Sequence, residues 1–418
     1  MGVMRKGIEI GMTPRKTPLI PSGAILVINS GSSSVKYALF AADPGLRPLF
    51  SGALERIGLT DGRFHAKDST GKVLFDERSA LVNHKAALAL LIEAIKPQLS
   101  GQPLRAVGHR IVHGGPDCDC PLPVTAALEA RLQRLIPLAP LHLPHNLAGI
   151  TAVRELQPDL PQIACFDTAF HHGMPQLARL MSLPREFQDE GVRRYGFHGL
   201  SYEYVVNALR QDGVSIEGER IIVAHLGNGA SMCALKGGLS VETTMGFSTL
   251  AGLMMGTRSG DLDPGALLYL LMEKSMRAEA VQKLLYERSG LLGVSGISSD
   301  MRELLRRRED PRAREAIDLF CYRARLHLAA LTAALGGLDR LVFTGGIGAN
   351  APEIRDRICA GLAYLGIRLD PKANLARART ISAPGAAVTV QAVVSDEESM
   401  IAHHVMRLTE RQLMQAEA

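Results

Sequence analysis

Residues Ile25 to Lys36 read ILVINSGSSSVK, an aliphatic run that ends at Asn29 and opens into a glycine and serine loop closed by a lysine. The shape returns at Ile221, where IIVAHLGNGASM sets Gly227 opposite Gly31 and Asn228 opposite Ser32. A third glycine loop, TGGIGAN, follows the aliphatic run Leu341–Phe343. Each pattern reads as a buried strand opening into a turn without bulky side chains, where backbone N–H groups can approach an anion. Two such loops in one register, with a third beyond them, predict a duplicated fold built around a polyphosphate.

A chain of 418 residues exceeds one average domain, and 46% hydrophobic against 21% charged residues suffices for two cores of a soluble enzyme. The net charge of +5 is mild, there is no Trp, and no basic tail is present. Nucleic acid is therefore a poor partner for this chain, and the run Arg306, Arg307, Arg308 reads as a solvated helix face. The six cysteines are scattered, and Cys165 and Cys233 fall inside aliphatic runs, which points to core thiols in a reducing cytoplasm. Cys118-x-Cys120 has the wrong spacing for a zinc knuckle and reads as a loop feature. No apolar run reaches transmembrane length, so no membrane partner is expected. Residues 1–23 read as a flexible N-terminal extension.

Strand signals sit at Ile25–Asn29, Val35–Phe40, Ala106–Val112, Ile163–Asp167, Ile221–His225, Met232–Leu235, Leu341–Thr344 and Ala387–Val394. Helical patterns cover Ala86–Ile95, Ala126–Leu135, His145–Glu155, Tyr202–Gln211, Gly265–Glu273, Pro311–Leu335, Glu353–Ala363 and Glu397–Arg411. A hairpin early in each half, followed by mixed strands and helices, predicts an α/β architecture. The echo starts the second half between residues 170 and 220. No Pro, Ser or Gly linker lies there, so the halves should pack tightly around a cleft.

The GxxxxGK[ST] phosphate loop, the HExxH zinc helix and the GxSxG elbow are absent. Gly346-x-Gly348-x-x-Ala351, with Asp370 downstream, matches a dinucleotide fingerprint, but little chain remains to complete such a sheet. Asn350 and Glu353 read as a helix N-cap and its N3 partner around Pro352. Met255–Pro264, MGTRSGDLDP, places Arg258 between glycines, and GHRIVHGG carries Arg110 into an alternating strand. Two such arginines suit transfer between anions, although a strand arginine is often merely salt-bridged. His142, His145, His171, His172 and His198 cluster in short motifs that a metal hydrolase could recruit with Asp167. Each also fits a hydrogen-bonded structural role, and His198, between Gly196 and Gly199, is the best functional candidate. In VVSDEESMIA, Ser395 and Glu398 read as a capping box, leaving Glu397 free to reach a Mg²⁺ or to favour the helix dipole.

Together, VINSGSSSVKYALF, GHRIVHGG, LAPLHLPHNLAGI, FDTAFHHGMP, RRYGFHGLS, HLGNGAS, GLMMGTRSGDLDPG, SGISSDMREL, FTGGIGAN and SDEESMIA resemble the acetate kinase family over about residues 24–405. The resemblance implies two ribonuclease H-like domains of the actin-like ATPase fold around a central cleft. One would span 24–170 with 398–418 returning to it, the other 171–397, in a homodimer. It implies Mg²⁺- (or Mn²⁺-) dependent, reversible phosphoryl transfer between ATP and a short carboxylate, with ADP as the partner product. By motif position, Asn29 and Glu397 would hold the metal, and Ser32, Ser34 and Lys36 would lie near the phosphates. Arg110, Arg258, His142 and His198 would surround the transferring group, and Asp167 would fix the arginines or the metal. His225, Gly227, Asn228, Gly229, Asp300, Arg302, Gly346, Ile347, Gly348 and Asn350 would form the nucleotide site. Val112, Leu141, Phe197 and Thr249 would surround the acyl group.

The chain departs from the family pattern at Leu143 (usually Asn), at Leu200 and Tyr202 (GLSY for GTSH), at Thr249 and Ala251 (usually Pro and Glu), and at Ala349 (GIGEN). The implied alternatives are a propionate or butyrate kinase and, from another class, an actin- or chaperone-like ATPase. One methylene is worth only about 1–3 kcal/mol in discrimination, so acyl length stays open in the sequence.

Overall fold

Both strand–loop echoes lie at the centres of β-sheets. The structure, a computed structural model, describes residues 23–99 and 101–416. Residues 1–22 of the expected extension lie outside the described residues. The strands are β1 (Ala24–Ser30), β2 (Ser34–Ala41), β3 (Pro48–Glu55), β4 (Gly62–Asp68), β5 (Val73–Ser79), β6 (Leu104–Ile111), β7 (Leu122–Pro123), β8 (Gln162–Phe166), β9 (Arg220–Leu226), β10 (Ala230–Lys236), β11 (Leu239–Thr243), β12 (Arg340–Thr344) and β13 (Thr389–Ala392). They form one sheet in the order β5-β4-β3-β2-β1-β6-β8-β7 and a second in the order β11-β10-β9-β12-β13.

The duplication is explicit in strand direction. In the first sheet β3, β2 and β1 run antiparallel, and β6 and β8 follow parallel to β1. In the second, β11, β10 and β9 are antiparallel, and β12 and β13 follow parallel to β9. The sequence reading missed β3, β4 and β5, which extend one edge of the first sheet. Their alternation is interrupted by Gly and charged residues, as suits an edge with one solvated face.

Strand β1 is apolar on both sides because both faces of its sheet are covered. Ala24, Leu26 and Ile28 pack with Leu88, Leu91 and Ile95 of the helix His84–Ile95, whereas Ile25 and Val27 pack with Met400, Ile401 and Val405 of the helix Glu397–Ala416. Strand β9 repeats the arrangement. Ile222, Ala224 and Leu226 face Phe320, Ala324 and Leu328 of the helix Pro311–Leu335, and Ile221 and Val223 face Val205 and Leu209 of the helix Gly199–Gln211. That last helix also sends Leu200 into the first sheet's core, and its Glu203 bonds His404 of the final helix at 2.8 Å. The two sheets are thus joined through the helix Gly199–Gln211, which contributes to both cores and bonds the final helix.

Two capping assignments change. Asn350 ends the short helix Gly345–Asn350, where its Nδ2 donates to Gly346 O, and Ala351 occupies the cap of the helix Pro352–Cys359. Glu353 instead pairs with Arg357 and Arg308. At the final helix, Asp396 Oδ1 accepts from Ser399 N at 2.8 Å, one residue later than a Ser395–Glu398 box would require. An aspartate at the cap outcompetes the serine before it because its carboxylate also answers the helix dipole. Asp370 likewise caps the helix Pro371–Leu375, which removes it from the ribose role of a dinucleotide fingerprint.

Gly108 marks where the final helix seats on β6. A Cβ there would lie 2.4 Å from Ile401 Cγ2 and 2.8 Å from Val405 Cγ2. Gly108→Val should therefore destabilise the fold by about 1–3 kcal/mol, read as a lower urea midpoint; an unchanged midpoint would show that the helix can shift freely.

Candidate active site

The functional side chains gather where parallel strands end, the position at which open α/β sheets leave a crevice. On the first sheet, β1 and β6 pair in register to Ile28 and His109, and the next residues on these neighbouring strands are Asn29 and Arg110. Arg110 is held by two carboxylates. Its Nε and Nη2 donate to Asp167, beyond the end of β8, at 2.8–3.1 Å, and its Nη1 meets Glu397 at 2.7 Å. Glu397 is therefore already engaged. Burial opposes the Arg110 charge, but Asp167 and Glu397 more than offset it and raise the guanidinium above its ordinary range.

Asn146, which the sequence reading passed over, fastens this strand end to the first glycine loop. Its Oδ1 accepts from Val112 N at 3.0 Å and its Nδ2 donates to Ser30 O at 2.9 Å. A buried Asn within the apolar helix Leu143–Leu156 was the available signal, because such a side chain must find partners. The loop itself is tight, with Gly31 N donating to Ser34 O at 2.8 Å. Ser32 and Lys36 stay exposed, Ser34 is half-buried, and Lys36 pairs with Asn29 across the hairpin.

Arg258 differs from Arg110 in one decisive respect. It is half-buried in its loop, its Nη1 donates to Thr249 O at 2.9 Å, and it makes no ion pair with a carboxylate among the described residues. Burial lowers its pKa, yet a guanidinium stays protonated in proteins. Glycines seat it against the second loop. A Cβ on Gly229 would lie 3.0 Å from Arg258 Nη2 and 3.3 Å from His198 Nε2, and one on Gly256 would lie 2.0 Å from Asn228 Oδ1. Gly256 N also donates to Asn228 O at 3.0 Å. The arginine loop and the second glycine loop are thus one unit.

The histidines separate by environment. His198 adopts a left-handed backbone (φ 60°, ψ 25°) at the start of the helix Gly199–Gln211, and its Nδ1 meets Ser231 Oγ at 2.8 Å. Its ring stacks on His225 at 4.4 Å, and His225 Nδ1 meets Ser201 Oγ at 2.8 Å. Burial, then His225, Arg110 and Arg258, hold the His198 pKa well below the usual value. Burial, then Arg258 and Arg110, lower His142 to about 4. Both rings are therefore neutral donors near two cations. The others are used elsewhere: His171 bonds Ser240 and Phe197 O, His172 bonds Pro116 O, and His145 stacks on His84, which donates to Gly31 O. No group of three His, Cys, Asp or Glu suited to a metal occurs among the described residues, so the histidine-based hydrolase reading loses its geometry.

A cleft of about 1270 Å³ opens beside the second and third loops. Gly227, Asn228, Asp300, Arg302, Gly346, Ile347 and Asn350 line it, with Ser299 and Pro352 from the same motifs, joined by Pro371, Leu375 and Arg377, which carried no motif. Gly348 instead packs toward Ala224, Leu226 and Phe343, allowing the helix Gly345–Asn350 to lie close to β9 and β12. Buried Arg355 staples the floor by donating to Gly348 O, Ala349 O and Asn374. His225 and Gly229 face the arginine side. Of the expected acyl walls, Phe197 is buried edge-on to His113 (5.6 Å), Val112 packs against the same core cluster, Leu141 is half-buried just before His142, and Thr249 is buried.

His109, His113, His142, His171 and His225 are each lowered to about 4, first of all by burial. The unfolded chain takes up these protons near 6.5, the folded chain only near 4, so the stability present above pH 6.5 is lost as pH falls toward 4. Urea midpoints should drop steadily between pH 7.5 and pH 4.5, and a flat profile would contradict neutral buried rings.

The comparisons with known proteins agree with this geometry. A sequence profile described as the Acetokinase family matches residues 24–403. An acetate kinase of Rhodopseudomonas palustris is 52% identical over 396 residues, covering 93% of this chain and 99% of its own length. The crystal structure of Porphyromonas gingivalis acetate kinase superposes with a TM-score of 0.85 at 38% identity, covering 93% of this chain and 100% of that one. A propionate kinase from Francisella tularensis gives 0.86 at 35% identity, covering 91% and 98%. This chain, an α/β protein of the actin-like ATPase fold, belongs to the acetokinase family.

Proposed function

We propose that the chain transfers the γ-phosphoryl group of ATP to acetate by direct in-line displacement, and runs the reverse reaction from acetyl phosphate and ADP. The observation that carries this reading is Arg258, a half-buried cation without a carboxylate partner among the described residues, beside a second arginine and two neutral histidines. Such a charge favours an anionic ligand, which supplies the missing counter-charge. A carboxylate is already an anionic nucleophile at neutral pH, so the site needs no general base. Arg258 and Arg110 offset repulsion between the carboxylate and the phosphoryl oxygens, while His142 and His198 donate hydrogen bonds to those oxygens. The cleft beside Gly227 and Gly346 accommodates the nucleotide, and Ser32, Ser34 and Lys36 approach its phosphates from the first sheet.

The residues present fit a hard cation. Glu397 leaves Oε1 without a partner among the described residues, and Asn29 lies one residue before the end of β1, the strand beside that of Arg110. Mg²⁺ (or Mn²⁺) keeps much of its hydration and takes one or two protein oxygens plus phosphates, so no closed cage is required. When bound, it would neutralise the β and γ phosphates. The same reading divides the chain into domains 24–170 with 398–418, and 171–397, a division that the presence of two sheets supports.

A homodimer is supported by the helix Pro264–Met272, PGALLYLLM, which has no buried residue. Leu268, Tyr269 and Met272 are 54%, 50% and 71% exposed, beside a groove lined by Leu267, Ala330 and Leu331. A second copy covering this face removes that apolar surface from water. No helix among the described residues is long and apolar enough to cross a membrane. The six cysteines are free thiols, which supports a reducing, cytoplasmic setting.

Incubation with ATP, Mg²⁺ and acetate, with hydroxylamine trapping, should yield acetyl hydroxamate. ATP hydrolysis without a carboxylate requirement would instead indicate an actin-like ATPase, and kcat/KM for propionate above that for acetate would reassign the acyl group. Arg258→Ala should lower kcat on the order of 10³-fold or more; turnover like the parent would remove Arg258 from the mechanism. Light scattering should give twice the chain mass, and Tyr269→Arg together with Leu268→Glu should halve it; a monomeric parent protein would refute the dimer.

A further inference from the structure

Ser231 Oγ, which meets His198 Nδ1 at 2.8 Å, is also hydrogen-bonded to Tyr202 Oη. Tyr202 stands one helical turn after His198, whereas Ser231 comes from β10 directly opposite His225. The Tyr202 side chain is fully buried, and its hydroxyl has no other hydrogen-bond partner among the described residues.

This three-membered chain has three possible arrangements, because a serine hydroxyl carries one donor and two acceptor sites. In one, Tyr202 donates to Ser231, Ser231 donates to His198 Nδ1, and the ring proton resides on Nε2. In the second, His198 Nδ1–H donates to Ser231, Ser231 donates to Tyr202, and the phenol hydrogen has no acceptor among the described residues. In the third, Tyr202 and His198 Nδ1–H both donate to Ser231, and the buried serine hydrogen has no acceptor among the described residues. Buried donors without partners are avoided, by a factor on the order of tenfold or more in population. We propose that Tyr202 is a positioning residue which, through Ser231, fixes His198 as the Nε2–H tautomer.

The consequence lies at the other end of the ring. His198 Nε2 would be 3.3 Å from a Cβ on Gly229, where Arg258 Nη2 also converges. A neutral imidazole carries one N–H, so its tautomer decides whether this space is faced by a donor or by a lone pair. A lone pair would repel a phosphoryl oxygen that Arg258 attracts. Burial, reinforced by His225 and the two arginines, keeps the ring from escaping the choice by taking a second proton. Tyr202 replaces the histidine usual in the family's GTSH motif. A histidine there could donate or accept toward Ser231, whereas the buried phenol can only satisfy its hydrogen by donating.

The inference rests on His198 facing the transferring group, but its primary readout needs no turnover, so its failure is distinguishable from failure of the proposed activity. Two-bond ¹H–¹⁵N NMR of the full chain labelled with ¹⁵N-histidine, assigned by the signals lost in His198→Gln, should show Nε2 protonated and Nδ1 bare. In Tyr202→Phe the Nδ1–H form should appear. kcat should then fall roughly tenfold, less than the cost of deleting a stabilising donor outright, with KM for ATP and acetate changing less than about twofold. Ser231→Ala should release the tautomer as well, and adding Tyr202→Phe to it should change the tautomer no further. Should Tyr202→Phe fail to fold, the parent spectrum and Ser231→Ala carry the test. An Nδ1–H ring in the parent protein, or an Nε2–H ring unchanged in both variants, would overturn the proposal.

Discussion

Arg110 fastens three segments that the chain brings together from far apart. It leaves the end of β6, grips Asp167 just beyond β8, and reaches Glu397 at the first turn of the final helix. The final helix covers one face of the first sheet and bonds to the helix between the sheets, so this one guanidinium ties the first sheet's strand ends to the element that returns to it. Removing either carboxylate would leave part of a buried charge uncompensated, a far larger loss than the net worth of a surface pair. The pair also settles the division of labour between the arginines. Arg110 is neutralised by protein, whereas Arg258 retains an unmet demand for an anion.

Burial is the first reason the histidines are neutral. The two guanidiniums act in the same direction on His142 and His198, and both fall below the physiological range. They are therefore suited to hydrogen bonding and unsuited to proton transfer near neutral pH. A carboxylate nucleophile carries no proton to remove, so the chemistry loses nothing by this. Positive charge comes from groups that cannot lose it, and directional donors come from groups that cannot gain it.

Much of the frame was legible in the chain because it depends on local spacing. Buried strands opening into glycine turns announced β1, β9 and β12, and their equal register announced two sheets of like topology. The Arg258 loop and the turn around His198 were visible as glycine-flanked functional residues. Edge strands β3 to β5 escaped because a solvated edge weakens the alternation that marks a strand. The caps at Asn350 and Ser395 were misread by one residue each, since neighbouring polar side chains compete for the same N–H groups and geometry chooses among them.

Other residues depend on partners that only the fold supplies. Asn146 joins Ser30 to Val112, Arg355 staples the floor of the cleft beside the second and third loops, and Ser231 links Tyr202 to His198. The sequence by itself determined the fold class, the three loops and the chemical types gathered at the site, because backbone conformation and apolar periodicity are encoded over a few residues. Only the tertiary structure decided which arginine is neutralised, which histidines gather beside the arginines and which glycines line the cleft, because burial and ion pairing depend on neighbours that no local pattern names.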